Sequence, residues 1–262
     1  MPSETALEQS RRCQLAPIGY EQPFLWLSKG WHDLLAAPVP GLLHGLAVTT
    51  FGLLLLLAAY RQFWLLAGAF SGFLLIGPLA ATGLYAVSRA LEAQRTPTLR
   101  TALATWWPRD HRLVLFGLLL AAAGTGWVLT SASMITAFAP HPVRDPVDFL
   151  HVVVLSEQSW LFEGWLALGG VMVAPVYASS VVAIPLMLER RIGVLAAVLT
   201  SWRAVLQSPG PMALWGALLM AITLIGMSTV LLGLIIAVPW LSYASWHAYR
   251  DLVPQADLPE VN

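Results

Sequence analysis

Apolar residues fill this chain in blocks of about 20, the length a 30 Å hydrocarbon layer requires of a helix. The first block runs from about Gly41 to Tyr60, and Arg61-Gln62 is a minimal turn into a second that ends near Ala90. A third covers about Leu113 to Phe138 and a fourth about Gly164 to Leu188. The fifth, about Met212 to Gly226, and the sixth, about Thr229 to Tyr249, are separated only by Met227-Ser228. Six membrane-spanning helices follow from this pattern.

Other segments carry apolar residues at helical spacing without being apolar all round. Phe24, Leu27, Trp31, Leu34 and Leu35 share one face of a helix, with Lys29, His32 and Asp33 on the other, and Pro38 and Pro40 end it. That layout suits a helix lying on a membrane surface. Val194 to Leu206, containing Trp202 and Arg203, is a second such helix, closed by Ser208-Pro-Gly-Pro211; Leu99 to Trp107 is a shorter one. Val147 to Leu155 fits either a short interfacial helix or an extended segment. Residues 1–22 are polar and aperiodic and predict a flexible cytoplasmic tail, residues 23–253 a membrane domain, and residues 254–262 a second cytoplasmic tail.

The blocks repeat. Gly72, Pro78 and Arg89 recur as Gly233, Pro239 and Arg250 at one offset of 161 residues, and Gly169, Pro175 and Glu189 echo Gly72, Pro78 and Glu92 at an offset of 97. Trp31, Pro38, Pro40 and Gly45 match Trp202, Pro209, Pro211 and Gly216 at an offset of 171. In the middle copy a single Pro108 after Trp106-Trp107 stands in for the double proline. The expected fold is thus an all-α membrane protein of six transmembrane helices, arranged as three two-helix repeats, each preceded by an interfacial amphipathic helix. Successive units share one orientation, as in parallel-repeat membrane proteins. The second, fourth and sixth spans are expected to bend at Pro78, Pro175 and Pro239.

Composition agrees with this reading. Hydrophobic residues make up 58% of the chain, charged ones 11%, and the mean hydropathy is +0.71. A soluble core of this size does not bury so much apolar surface. With the N-terminus, the 2–3 loop, the 4–5 loop and the C-terminus on one side, 12 of the 14 Lys and Arg residues share it, against Arg61 and Arg144 on the other. The positive-inside rule makes the first side cytoplasmic. A net charge of zero gives no electrostatic case for nucleic acid, and Cys13, the single cysteine, excludes an internal disulfide.

Four stretches resemble a known family: Trp26-Leu-Ser-Lys-Gly-Trp31-His-Asp-Leu34, Gly77-Pro-Leu-Ala-Ala-Thr-Gly-Leu-Tyr85, Ala183-Ile-Pro-Leu-Met-Leu-Glu-Arg190 and Trp246-His-Ala-Tyr-Arg250-Asp-Leu252. They are similar to an uncharacterised bacterial integral membrane family, domain of unknown function 2189. The resemblance extends over about residues 24 to 253 and implies a six-span protein of the bacterial inner membrane, with no catalytic or binding residues to carry over.

The candidate chemistry is thin. No Asp, Glu or Lys lies inside a span away from its ends, which argues against proton- or sodium-coupled transport. Hydroxyls such as Thr49, Ser131 and Ser180 suit interhelical hydrogen bonds. His44 and His247 both fall in the cytoplasmic leaflet, where two imidazoles would suit a haem b iron. Bonding to water or headgroups is their other role, and the repeat favours it, because Trp215 and Ala86 occupy the matching positions. His141, Asp145, Asp148 and His151 crowd one loop and are candidates for a divalent ion or an ordinary solvated surface. Trp31, Arg89, Trp202 and Arg250 mark the membrane boundary and are candidates to face lipid or a partner. No cofactor is specified. The partners expected are the lipid bilayer and other membrane proteins. The function that fits is a non-catalytic accessory or assembly component, the alternative a small-solute or lipid transporter or channel; a redox enzyme would rest on the two histidines alone.

Overall fold

The computed structural model describes residues 5–59, 81–103, 111–143, 146–155 and 160–261. In chain order the helices are α1 (Ala6–Arg11), α2 (Gln22–Ala36), α3 (Pro38–Ala59), α4 (Thr82–Glu92), α5 (Leu99–Leu103), α6 (His111–Phe138), α7 (Pro146–Phe149), α8 (Leu161–Ser180), α9 (Ala183–Glu189), α10 (Val194–Gln207), α11 (Pro209–Ser228) and α12 (Leu234–Leu252). Strands β1 (Cys13–Gln14) and β2 (Gln255–Ala256) pair antiparallel. Among the described residues, four stretches are long and apolar enough to cross a membrane: Pro38–Leu57, His111–Phe138, Leu161–Glu189 and Pro209–Ser228. They coincide with the first, third, fourth and fifth spans predicted. The body of the second, with Pro78, lies outside the described residues, as do Trp106, Trp107 and Pro108.

Prolines set the helix boundaries. Ala37 ends α2 with φ −132° and ψ 64°, and Ser208 ends α10 with φ −139° and ψ 64°. Pro38 and Pro209 then open α3 and α11, a first-turn position where the missing N–H costs no intrahelical bond. Pro175 lies inside α8 and Pro239 inside α12. Six residues beyond Pro175 the helix stops at Val181-Val182, and the Val182 N–H donates to Ser201 Oγ at 3.1 Å. Left unmade in a buried place, that bond would cost about 1–3 kcal/mol.

The sixth helix departs from the expectation. It begins at Leu234 rather than Thr229, because Val230 (φ 55°) and Leu231 (φ 68°) take left-handed backbone to reverse the chain after Ser228. Two successive side-chain-bearing residues there are costly and make a tight corner that local sequence does not announce. Leu234–Leu252 is also not among the four apolar stretches: its C-terminal half carries His247, Arg250 and Asp251 and packs within protein.

The described residues form two compact units. The first comprises those within Met1–Thr49, Pro78–Phe116 and Tyr177–Asn262; the second those within Thr50–Gly77 and Gly117–Val176. In the first, α12 is the central element, its residues Tyr243, Ala244, Trp246 and Tyr249 fully buried. Helix α2 lies along it through Trp26, Leu27, Gly30 and Leu34, so Leu27 and Leu34 face protein rather than the membrane surface expected of them. Trp26 meets Trp215 edge to face at 5.4 Å, and the Trp240 indole donates to the Leu27 carbonyl at 2.7 Å. At Gly45 an added Cβ would fall 2.2 Å from the Ile235 carbonyl oxygen, so α3 and α12 touch there backbone to backbone.

Polarity at the termini predicts loose tails; both described termini are folded instead. Thr5 and Glu8 form a reciprocal capping box on α1. Arg203 donates to the Ser10 carbonyl at 2.7 Å, and β1 pairs with β2, joining Cys13 to Ala256 and Gln14 to Gln255. Thr5 and Glu8 make the cap, while Gln9 and Ser10 accept from Gly193 and Thr200. Cys13 is buried by this pairing, and burial pushes its thiol up, against the lowering pull of Thr200, Arg203 and Arg190.

In the second unit Trp165 is the organising side chain. Its indole donates to Ser131 Oγ at 2.7 Å, and its ring meets Trp127 at 5.5 Å and Phe149 at 5.6 Å. Ile135, Val153 and Leu161 pack as a buried cluster beside it. The segment left open between helix and extended chain is helical: α7 passes into a π-helical turn, Leu150–Val154.

Candidate functional site

Charged residues are few in this chain, and in the first unit many of them converge where helices end. Helix α4 contributes Ser88, Arg89 and Glu92 from its last turns, α9 its final residue Glu189, and α12 His247, Tyr249 and Arg250. Asp33 enters from α2 and Glu260 from the C-terminal segment. Basic side chains at helix C-termini also meet the negative end of the helix dipole.

The contacts form a chain. Ser88 Oγ donates to Asp33 Oδ2 at 2.6 Å, and His247 Nε2 lies 2.9 Å from the same oxygen. The other imidazole nitrogen, Nδ1, is 3.9 Å from Glu92 Oε1, and Glu92 Oε2 is 3.4 Å from Arg250 Nε. Arg250 reaches on to Glu189 Oε1 at 3.2 Å. The remaining Glu189 oxygen accepts the Tyr249 hydroxyl at 2.5 Å and faces Arg190 Nε at 3.7 Å. Arg190 and Arg89 both pair with Glu260, at 3.5 and 3.2 Å. Beside this chain Asp251 accepts the Trp26 indole at 2.7 Å and pairs with Lys29 at 3.5 Å. Arg112 donates to the carbonyls of Arg190 and Ile192 at 3.1 and 2.7 Å, satisfying acceptors just past the end of α9.

This arrangement ties helix ends together. Ser88 donates to a carboxylate and not to the imidazole, so the serine, histidine and aspartate do not form a nucleophile relay. Asp33, predicted to face water, is instead held between Ser88 and His247 because α12 covers that side of α2.

The residues singled out from sequence fall in different places. His247 belongs to the cluster, with Nε2 against Asp33 and Nδ1 toward Glu92. His44 is buried in α3. Arg89 and Arg250 are paired within the chain, whereas Trp31 and Trp202 keep an exposed edge, Trp31 meeting Trp240 edge to face at 5.4 Å and Trp202 donating to Ser179 Oγ at 2.9 Å. His141 and His151 are exposed, Asp148 is in α7, and Asp145 lies outside the described residues; among the described residues no three His, Cys, Asp or Glu groups gather as for a metal ion. Thr49 donates to the Leu231 carbonyl at 3.3 Å, and Ser180 to the Tyr177 carbonyl at 3.3 Å. Sequence reading missed Asp33, Glu189, Tyr249 and Glu260 as members of one cluster. The available signal was the recurrence of Glu92 as Glu189 and of Arg89 as Arg250.

No curated protein and no solved structure matches the chain. A family match covers Gly77 to Tyr85 and Ala183 to Glu189 but neither of the two outer stretches, around Trp26 and Trp246. The chain is an integral, multi-pass membrane protein, and its residues 65–189 match the family model of domain of unknown function 2189, described as a predicted integral membrane protein.

Proposed function

We propose that this chain is a non-catalytic accessory or assembly component of a bacterial inner membrane, binding other membrane proteins or lipid through its apolar helix faces. The membrane domain occupies residues 23–253 as six spans in three two-helix units, each following an interfacial helix, with both termini cytoplasmic. The observation that carries the role is the contrast between inside and outside in the first unit. Its charged cluster closes on itself, while the helices fit to span a membrane leave side chains such as Leu43, Leu46 and Ile225 outward. A surface of that kind fits lipid or another apolar helix. In support of the repeat, Ala37 and Ser208 share one backbone conformation at matching positions, and Pro38 and Pro209 each begin a long apolar helix.

The test is purification of the tagged chain from native membranes in mild detergent. A membrane protein recovered in stoichiometric amount is the expected result. A chain recovered alone and carrying a bound small solute would replace this reading with transport. Topology is tested separately: reporter fusions after Asn262 and within 142–158 are expected to report opposite sides of the membrane, from the 12-to-2 basic asymmetry. Reports from one side would remove the six-span arrangement.

A further inference from the structure

The two long helices that precede Pro38 and Pro209 expose the same stripe. On α2, Phe24, Trp31 and Leu35 are 56%, 40% and 63% exposed; on α10, Leu195, Trp202 and Leu206 are 63%, 36% and 66% exposed. These are matching positions at the offset of 171, and each set is spaced i, i+7, i+11, one narrow line along a helix. Both helices already bury another face: Trp26, Leu27, Gly30 and Leu34 on α2, and Ala196, Ala197, Thr200, Ser201 and Ala204 on α10. The stripes are therefore surplus to packing, yet in each copy a tryptophan and two larger aliphatic or aromatic side chains stand outward.

We infer that these two stripes are the lipid-embedded faces of α2 and α10, holding both helices at the boundary between headgroups and acyl chains. This rests on the multi-pass reading above and adds to it the side chains that touch lipid. The occupant is argued from continuity. Each stripe ends within three residues of a proline that opens a candidate membrane span, and on α3 the exposed apolar line continues through Val39, Leu43 and Leu46. A helix joined to a span through so short a break cannot leave the membrane surface. Beside the α2 stripe, His32 and, further round the helix, Lys29 are exposed, as the water-facing edge of an interfacial helix requires. Tryptophan at the centre of each stripe is the residue that favours that depth. The apolar face expected from sequence differs from this one: Leu27 and Leu34 turn to α12, and lipid takes Phe24, Trp31 and Leu35.

Nitroxide labels read the environment directly. Leu35→Cys, Leu206→Cys and, as a water-facing control, His32→Cys are labelled in the full chain and reconstituted into lipid nanodiscs. The unmodified chain serves as the blank, since Cys13 is buried with its thiol pushed up. Labels at 35 and 206 are expected to lose accessibility to a water-soluble nickel relaxant and to keep accessibility to oxygen, with the reverse order at 32. Phe24→Cys and Leu195→Cys repeat the measurement at the other end of each stripe. Nickel-accessible labels at 35 and 206 would overturn the inference by placing the stripes in water. Labels shielded from both reagents would overturn it as well, by showing protein over the stripe. Neither result depends on whether a partner co-purifies, so failure here and failure of the accessory role are read in separate experiments.

Discussion

Glu189→Ala is expected to destabilise the protein by about 3–5 kcal/mol, the loss typical of removing one partner from a buried charge cluster. Glu189 is 6% exposed, and both its oxygens are occupied: Arg250 on one, Tyr249 and Arg190 on the other. Truncation leaves the Tyr249 hydroxyl buried without its acceptor and two guanidinium groups without their common carboxylate. Glu189→Gln keeps an acceptor for Tyr249 and removes the charge, so it should fall between alanine and the unaltered chain. Arg89→Ala is the comparison. Its pair with Glu260 is 30% and 56% exposed, and a pair open to water is worth about 0–1 kcal/mol. Thermal unfolding in detergent, followed by tryptophan fluorescence, measures all three. If Glu189→Ala melts alongside Arg89→Ala, the cluster is not what holds the ends of α9 and α12.

That cluster shows where sequence reading runs out. Periodicity reports on neighbours three or four positions apart, and it located α2, α10 and four apolar stretches, with Pro38 and Pro209 marking the starts of two of them. The pairs in the cluster are distant in sequence: 214 residues separate His247 from Asp33, and 61 separate Arg250 from Glu189. Nothing local tells Asp33 apart from Lys29 and His32, which share its side of the helix and do reach water. Its burial is decided by α12, whose small Ala244 lets α2 approach. The repeat came closer, since it aligned Glu92 with Glu189 and Arg89 with Arg250; it stopped short of bringing them together because an alignment of copies carries no distances. The termini failed for a different reason. Free of any long apolar run, the segment around Thr5 reads as loop, although Thr5 and Glu8 three positions apart are a legible capping box. The corner at Val230-Leu231 had no signal, because neither residue favours the backbone it adopts.

Gly30→Leu should abolish the folded first unit, and Gly30→Ala should cost at least the 1–3 kcal/mol or so of an overpacked core. A Cβ at Gly30 would lie 2.5 Å from the Ala244 nitrogen and 2.8 Å from its Cα. These are backbone atoms in the middle of α12, so no rotamer change makes room and the two helices must separate. Separation acts on everything that crosses that seam: the Trp240 bond to Leu27, the Trp26 bond to Asp251, and the His247 contact with Asp33. Gly170→Ala is the control, since a Cβ there meets nothing within 4 Å. Alanine in that helix should be neutral or stabilising by up to about 1 kcal/mol, from helix propensity alone. The variants are compared by fluorescence-detected size exclusion after a temperature ramp. Equal melting of Gly30→Ala and the unaltered chain would mean that α2 does not lie on α12 at this distance. The same substitution separates two roles for the seam, because a helix pair held only by lipid-facing contacts would absorb one methyl group, whereas a backbone contact this close does not.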